Sequence, residues 1–205
     1  SDAVGEVLKT RWWGQANKVD EFEKVFSNDF NYQYSLSLNS GSAALELAYH
    51  LIGINEGDDL WMARYIMERV TEEHNLIVNW EPKPENGDWN GSGCHTNFST
   101  KQIREGCEKK CGLDYIYEAI EKLSKKHVEH MTVYGKDNEL RMTGEYETAS
   151  YDTFTWGTAD RGASIRIGNE NVKNKKGYFE DRRPGSNCDP YLVTAKLCET
   201  IILNK

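Results

Sequence analysis

Apolar positions along the chain change period several times, and each change marks an element. Val19-Asp-Glu-Phe-Glu-Lys-Val-Phe26 carries apolar residues at helical spacing, and Tyr34-Ser-Leu-Ser-Leu38 alternates as a strand does. Asn39-Ser-Gly-Ser42 offers capping side chains to an apolar helix from Ala43 to Leu51, closed by Gly53. A strand leading through small residues into a helix start presents free N–H groups to a phosphate, although an ordinary capped helix has the same pattern. Asp59 to Val70 predicts an amphipathic helix and Leu76-Ile-Val-Asn-Trp80 a strand, before Pro82, Pro84 and Gly87 break the chain into a loop. Leu113, Ile116, Ile120 and Leu123 form the buried stripe of a helix over 113–126, whose lysines and glutamates face solvent. The alternation of Ala159-Asp-Arg-Gly-Ala-Ser-Ile-Arg-Ile167 predicts a strand, and Asp189 to Leu203 an apolar-striped helix. Helices and short strands in this mixture predict an α+β fold.

Three stretches carry candidate chemistry. The first is Gly177-Tyr-Phe-Glu-Asp-Arg-Arg-Pro184. In extended backbone Tyr178, Glu180 and Arg182 share one face, and Phe179, Asp181 and Arg183 the other. A carboxylate can hold a hard cation such as Mg2+, and a neighbouring arginine can fork onto a phosphate, which is the chemistry of phosphoryl transfer. A surface strand whose charges neutralise one another has the same composition. The second stretch is Trp89-Asn-Gly-Ser-Gly-Cys-His-Thr-Asn-Phe-Ser99. Its glycines bring backbone close to something, and His95, Asn97 and Ser99 line one face of a strand; a histidine in such a place is also compatible with a satisfied core position. The third is Arg141-Met-Thr-Gly-Glu-Tyr-Glu-Thr148, a glycine-containing segment with an arginine and a carboxylate, suited to a mobile flap. Arg161 lies a glycine step before the 163–167 stretch and Arg166 within it, where a guanidinium among apolar residues needs an anionic partner.

Composition narrows the class. At 205 residues the chain can build one good-sized domain or two small ones. A net charge of -8 argues against a nucleic-acid surface, though arginines can still gather locally around a phosphate. There is no apolar run of membrane-span length and no signal peptide at the start, so a soluble cytoplasmic protein is expected. Five scattered cysteines fit a reduced compartment better than a disulfide framework. Cys107 and Cys111 lack a second pair at zinc-finger spacing, so no structural metal is expected there.

Two families are resembled in succession. Trp13-Gly14, Val19-Asp-Glu-Phe-Glu23, Asn39-Ser-Gly-Ser-Ala-Ala-Leu45 and Gly53-Ile-Asn-Glu-Gly-Asp58 resemble the N-terminus of the DegT-type sugar aminotransferases, which use pyridoxal phosphate. The Schiff-base lysine of that family lies much further along, and nothing downstream continues its pattern, so no pyridoxal phosphate is expected. From Asp58 onward the chain resembles the C-terminal catalytic half of a type II, eukaryotic-like glutamine synthetase. The carrying motifs are Asp88-Trp-Asn-Gly-Ser-Gly-Cys-His-Thr-Asn-Phe-Ser-Thr100, Arg141-Met-Thr-Gly144, Glu147-Thr148, Arg161-Gly-Ala-Ser-Ile-Arg-Ile167 and Gly177 to Pro184, in collinear order.

That resemblance implies an antiparallel-rich sheet with flanking helices, part of a guanido-kinase-like catalytic domain, preceded here by a small α/β fragment over 1–57. It implies an ATP-dependent ligase joining ammonia to glutamate through γ-glutamyl phosphate, with Mg2+ or Mn2+. By position, His95 and Glu180 would bind metal, and Asn90, Gly91 and Arg141 the glutamate. Asn97, Ser99, Arg166 and Tyr178 would belong to the ATP site. Arg161 and Arg182 would oppose charge on the transferred phosphoryl group, with Glu147 as the proton-accepting flap carboxylate.

The departures are also informative. Glu145 and Tyr146 stand where the family usually has an aromatic or basic residue and a histidine. The family's further metal-binding glutamates and its small N-terminal domain have no counterpart in 1–57. Asp20, Glu21, Glu23 and Glu46 are the candidate replacement ligands. A fusion of two fragments at Gly57-Asp58 is therefore expected, incomplete or inactive alone and prone to homo-oligomerise or self-associate through open sheet edges. The alternatives are a non-catalytic nucleotide- or phosphate-binding or structural remnant, and a pyridoxal-phosphate protein.

Overall fold

The computed structural model describes residues 56–204 together with Lys24. The expected helices and strand over 19–53 and the four N-terminal carboxylates thus lie outside the described residues. From Glu56 onward the chain forms a compact unit of its own.

Its centre is a four-stranded sheet of very short strands: β1 (Thr96–Phe98), β2 (Trp156–Thr158), β3 (Ile165–Ile167) and β4 (Phe179–Asp181), ordered β1-β4-β3-β2. β4 runs antiparallel to both β1 and β3, while β2 lies parallel to β3. The expectation of an antiparallel-rich α+β sheet with flanking helices holds. One face is apolar: Phe98 stacks on Phe179 with ring centroids 5.5 Å apart, and Ile165 and Ile167 are fully buried beside them.

The helices are α1 (Glu56–Glu72), α2 (Lys101–Glu105), α3 (Gly112–Lys125), α4 (His127–Met131), α5 (Asn169–Lys173) and α6 (Pro190–Ile201). Leu113, Ile116, Ile120 and Leu123 of α3 are buried as their spacing predicts, and they share one core with the sheet and with Val193 and Leu197 of α6. α2 begins where the Thr100 hydroxyl accepts the Ile103 N–H at 3.2 Å. α6 starts at Asp189, whose carboxylate accepts the Tyr191 N–H at 2.9 Å, with proline in the first turn where no N–H is needed.

α2 and α3 meet at Gly112, where a methyl group would lie 2.0 Å from the Ile103 carbonyl oxygen. That carbonyl also accepts the Gly177 N–H at 3.1 Å, so it cannot withdraw freely. Gly112→Ala is expected to destabilise the fold by about 2–3 kcal/mol, read from urea unfolding. An unchanged midpoint would show that α2 can move away.

Three sequence expectations need correction. Leu76 to Trp80 is not a strand: the segment has no ladder partner among the described residues, and Ile77 is 95% exposed. β-rich composition without a neighbouring edge does not make a sheet. In 159–167 only the last three residues are extended within the sheet. The Asp160 carboxylate accepts the Gly162 N–H at 2.8 Å, closing a turn that the alternation concealed.

The third correction concerns α1, which forms but buries a cation rather than an apolar stripe. Arg64 donates to the carbonyls of Ser186 and Cys188 at 2.7 and 2.9 Å and lies over the rings of Trp61 and Trp80. Trp61, Met62, Tyr65, Ile66, Met67 and Val70 are all exposed. Among the described residues no helix is long and apolar enough to cross a membrane.

Candidate functional site

The polar face of the sheet carries one row of side chains from adjacent strands. Glu180 of β4 lies opposite Asn97 of β1 and Arg166 of β3, and Gly157 of β2 faces Arg166. Directly paired residues put their side chains on the same face, so the row follows from register alone. Strand alternation places Phe179 and Asp181 in the core and leaves Glu180 pointing the other way.

Glu180 is the hub. Arg166 donates Nη1–H to its Oε2 at 2.8 Å, and Arg182 donates Nη1–H to its Oε1 at 3.1 Å. His95 Nδ1 is 3.0 Å from the same Oε1. Burial alone raises the Glu180 carboxyl, but the Arg166 hydrogen bond and the charges of Arg182 and His95 outweigh it and hold the group below its ordinary value. His95 is lowered, first by burial and then by the Arg182 charge, against the opposing pull of Glu180. The expected partner for Arg166 is therefore present, and it is Glu180.

Arg182 ties three segments together. Besides Glu180, its Nε donates to the Arg161 carbonyl at 3.2 Å and its Nη2 to the Glu147 carbonyl at 3.1 Å. Glu147 sits at the tip of a hairpin, where the Thr148 N–H returns to the Glu145 carbonyl at 3.1 Å. Tyr146 and Glu147, the central pair, both have positive φ (53° and 60°), as a type I′ turn requires but few non-glycine residues adopt. The tip is held by Arg182, by an Arg161–Glu147 ion pair of 3.1 Å and by the Tyr146 hydroxyl, which donates to Asp88 at 2.7 Å. Glu145 and Tyr146 thus shape the turn that presents Glu147.

Arg141, the substrate clamp implied by the resemblance, is largely engaged by the chain's own backbone. It is 4% exposed, and its Nη2 donates to the carbonyls of Arg182, Arg183 and Pro184 at 3.2, 2.7 and 3.4 Å. Its Nε donates to Asn138 at 3.0 Å. Gly91 is what lets it lie there, since a methyl at that position would be 2.1 Å from Arg141 Cγ. Gly93 faces its Nη1, which lies 2.8 Å from where a methyl would stand. The something that the two glycines bring close is an arginine.

The remaining predicted residues are spread around this cluster. Asn97 is exposed beside Glu180, and Tyr178 is 45% exposed at the start of β4. Ser99 donates its hydroxyl to the Gly177 carbonyl at 2.6 Å, and Asn90 is exposed in the loop before Gly91. The structure therefore brings together His95, Glu147, Arg161, Arg166, Glu180 and Arg182, with Arg141 packed behind them. Four guanidiniums meet two carboxylates, an excess of positive charge suited to an anion. Two clefts among the described residues, of about 390 and 410 Å3, lie elsewhere, one against α2, α3 and the end of α6 and the other between α4 and α6.

A divalent ion would find only part of its shell in this donor set. Among the described residues no group of three or more histidine, cysteine or acidic side chains could hold a metal. His95 and Glu180 supply two donors already facing guanidiniums, too few for a standing all-protein site. Glu180 could supply one ligand to a Mg2+ ion whose remaining shell is phosphate and water.

Cys94, inside the motif that carries His95, went unnoticed by sequence reasoning. Its thiol is lowered to about 7, chiefly by a hydrogen bond with Cys188, with burial opposing and the charges of Arg64 and Arg141 assisting. The Cys188 thiol is pushed up by the same hydrogen bond and by burial. A cysteine beside a candidate ligand was the available signal, but its partner lies far along the chain.

Comparison with known proteins finds both families. The model of the DegT/DnrJ/EryC1/StrS aminotransferase family matches residues 1–65. The chain is 59% identical over 152 residues to glutamine synthetase cytosolic isozyme 1-5 of Arabidopsis thaliana, covering 74% of this chain and 42% of that protein. It is 54% identical over 154 residues to the cytosolic isozyme of Pinus sylvestris, covering 75% and 42%. The chain therefore spans about two fifths of the length of the curated relatives it matches.

Among solved structures, Plasmodium falciparum glutamine synthetase shares the fold with a TM-score of 0.54 at 19% identity, over 69% of this chain and 28% of that one. Ligand-free GmaS does so with a TM-score of 0.52 at 22% identity, over 71% and 34%. Both resemblances read from the motifs hold: this one chain joins a glutamine synthetase-like segment to an aminotransferase-like N-terminus.

Proposed function

We propose that residues 58–205 are a glutamine synthetase-like catalytic fragment that takes ATP, glutamate and ammonia as substrates, and that residues 1–57 are a separate aminotransferase-like segment. The observation that carries this reading is Glu180 held between Arg166, Arg182 and His95 on the polar face of the sheet, within collinear motifs of that family. Arg161 and Arg182 are placed to oppose charge as a phosphoryl group passes to the glutamate side chain. Asn97, Ser99, Arg166 and Tyr178 mark the nucleotide side. Asn90 and Gly91 mark the amino-acid side, with Arg141 Nη1 as the group that a substrate carboxylate would reach. Glu147, presented by its turn and paired with Arg161, would take the proton from ammonium and shield the acyl phosphate from water. Mg2+ or Mn2+ bound with the nucleotide would neutralise phosphate charge against Glu180 and His95.

Two donors do not seat the two or three ions of a full ligase, so the fragment is proposed to bind nucleotide but to turn over only with complementing chains. A cytoplasmic location and self-association belong to the same reading. A non-catalytic phosphate-binding remnant is favoured instead by the competition of Arg166 and Arg182 for the Glu180 oxygens. Calorimetry with Mg-ATP and a γ-glutamyl hydroxamate assay separate the two. Arg182→Ala is expected to weaken Mg-ATP binding at least tenfold, about 1.4 kcal/mol. Glu180→Ala and Arg182→Ala should each abolish any hydroxamate formation. Nucleotide binding without hydroxamate, even with complementing chains, selects the remnant, and unchanged behaviour in both variants removes the site. No Schiff-base band is expected on incubation with pyridoxal phosphate.

A further inference from the structure

We propose that Cys94 and Cys188 form an oxidisable dithiol that closes to an intramolecular disulfide across the back of the arginine cluster. Cys188 belongs to the hydrophobic core and Cys94 packs against that core, although the two residues are separated by most of the described chain. Backbone pairing enforces this meeting. Gly93 and Gly185 form an antiparallel bridge, the Cys94 N–H donates to the Pro184 carbonyl at 2.9 Å, and the Ser186 N–H donates to the Ser92 carbonyl at 3.1 Å. A turn from Gly185 to Cys188, closed by the Cys188 N–H on the Gly185 carbonyl at 3.0 Å, keeps Cys188 beside this paired backbone. The Cys188 carbonyl is in turn held by Arg64 at 2.9 Å.

The two positions divide the labour of exchange. Cys188 is 2% exposed and belongs to the core, whereas Cys94 is only half-buried. Cys94 therefore meets an external disulfide first. Its thiolate attacks one sulfur of oxidised glutathione, forming a Cys94–glutathione bond and releasing one glutathione thiolate. The Cys188 thiol then gives up its proton to solvent and attacks the Cys94 sulfur, forming the Cys94–Cys188 bond and expelling the second glutathione. Two electrons and two protons leave the protein, and one glutathione disulfide becomes two thiols. The crosslink would join the segment carrying Gly93 and His95 to the loop that follows Arg183. None of this depends on the ligase reading.

The test is peptide mass mapping of the full chain after titration with oxidised glutathione at about pH 8, near the ordinary thiol range. The expected product is a linked pair of peptides containing Cys94 and Cys188, reversed by dithiothreitol. It should be absent from Cys94→Ser and from Cys188→Ala, while the latter retains glutathione on Cys94. Three results would overturn the proposal: Cys94 stably glutathionylated in the unsubstituted chain with Cys188 still free, crosslinking confined to Cys107 and Cys111, or only intermolecular products.

Discussion

Replacing Asp181 by alanine is expected to remove about 3–5 kcal/mol of folding stability, the loss that follows when one partner of a buried ion pair is deleted. Asp181 and Arg183 are both 0% exposed. The guanidinium grips the carboxylate through two bonds, Nε to Oδ1 at 2.9 Å and Nη2 to Oδ2 at 2.7 Å, and lies over the rings of Tyr134 and Phe154. Burial opposes charge on both groups, yet their mutual attraction wins: Asp181 is held below its ordinary value and Arg183 above its own. Without the carboxylate, Arg183 remains in the core with no anion beside it. Typical domains have about 5–15 kcal/mol in total, so most of the margin would go. Urea unfolding measures the change. A loss below about 1 kcal/mol would mean that water reaches the pair. Replacing both residues with apolar side chains of similar volume should recover much of the deficit, which separates loss of the pair from loss of its charge balance.

A second large effect is expected on acidification. His130 is fully buried, and burial, followed by the Arg183 charge, lowers it to about 4. The Tyr134 hydroxyl donates to Asp181 at 2.8 Å and so accepts from His130 Nδ1 at 2.6 Å, which leaves Nε2 to accept the Thr200 hydroxyl at 2.9 Å. Every position is filled by a neutral ring. The unfolded chain binds the proton near pH 6.5 and the folded chain only near 4, so stability present above the first value is lost as pH falls toward the second. The gap corresponds to about 3 kcal/mol. His127 adds to the slope in the same direction: its Nε2–H donates to the Tyr151 carbonyl at 2.8 Å, and its Nδ1 accepts from Arg183. Unfolding free energy measured between about pH 7 and 4.5 should fall steeply in the unsubstituted protein and by less than half as much in His130→Gln. Equal slopes would show that the ring takes a proton without leaving its place.

These two predictions concern residues whose importance was only half visible in the chain itself. The alternation of Tyr178 to Arg183 correctly assigned each side chain to a face, because pleating leaves no choice. It could not say which face is inside, since each offers one aromatic, one carboxylate and one guanidinium. Only packing decides: Phe98 and Ile167 lie against Phe179, so Asp181 and Arg183 go into the core and Glu180 and Arg182 are left on the polar face. The stripe of α3 was legible for the simpler reason that all its members are aliphatic. Leu76 to Trp80 misled because strand-forming side chains say nothing about whether an edge is available to pair with. The packing of Arg141 was hidden too, since its Nη2 partners are main-chain carbonyls, which no side-chain pattern records.

The single buried cation of α1 has a consequence for how the molecule opens. Toward its start this helix is anchored by Gly57 packed against Tyr191, by the Tyr191 hydroxyl bonded to Asp58, and then by Arg64. Beyond Arg64, every side chain from Tyr65 to Val70 faces water. Unwinding from the Glu72 end therefore uncovers little new apolar surface and gives up helical hydrogen bonds and one exposed bond from the Trp80 indole to Glu68, all of which water can replace. Resistance to unwinding is concentrated at one guanidinium, so the two halves of a single helix should differ sharply in how long their amide protons survive in heavy water.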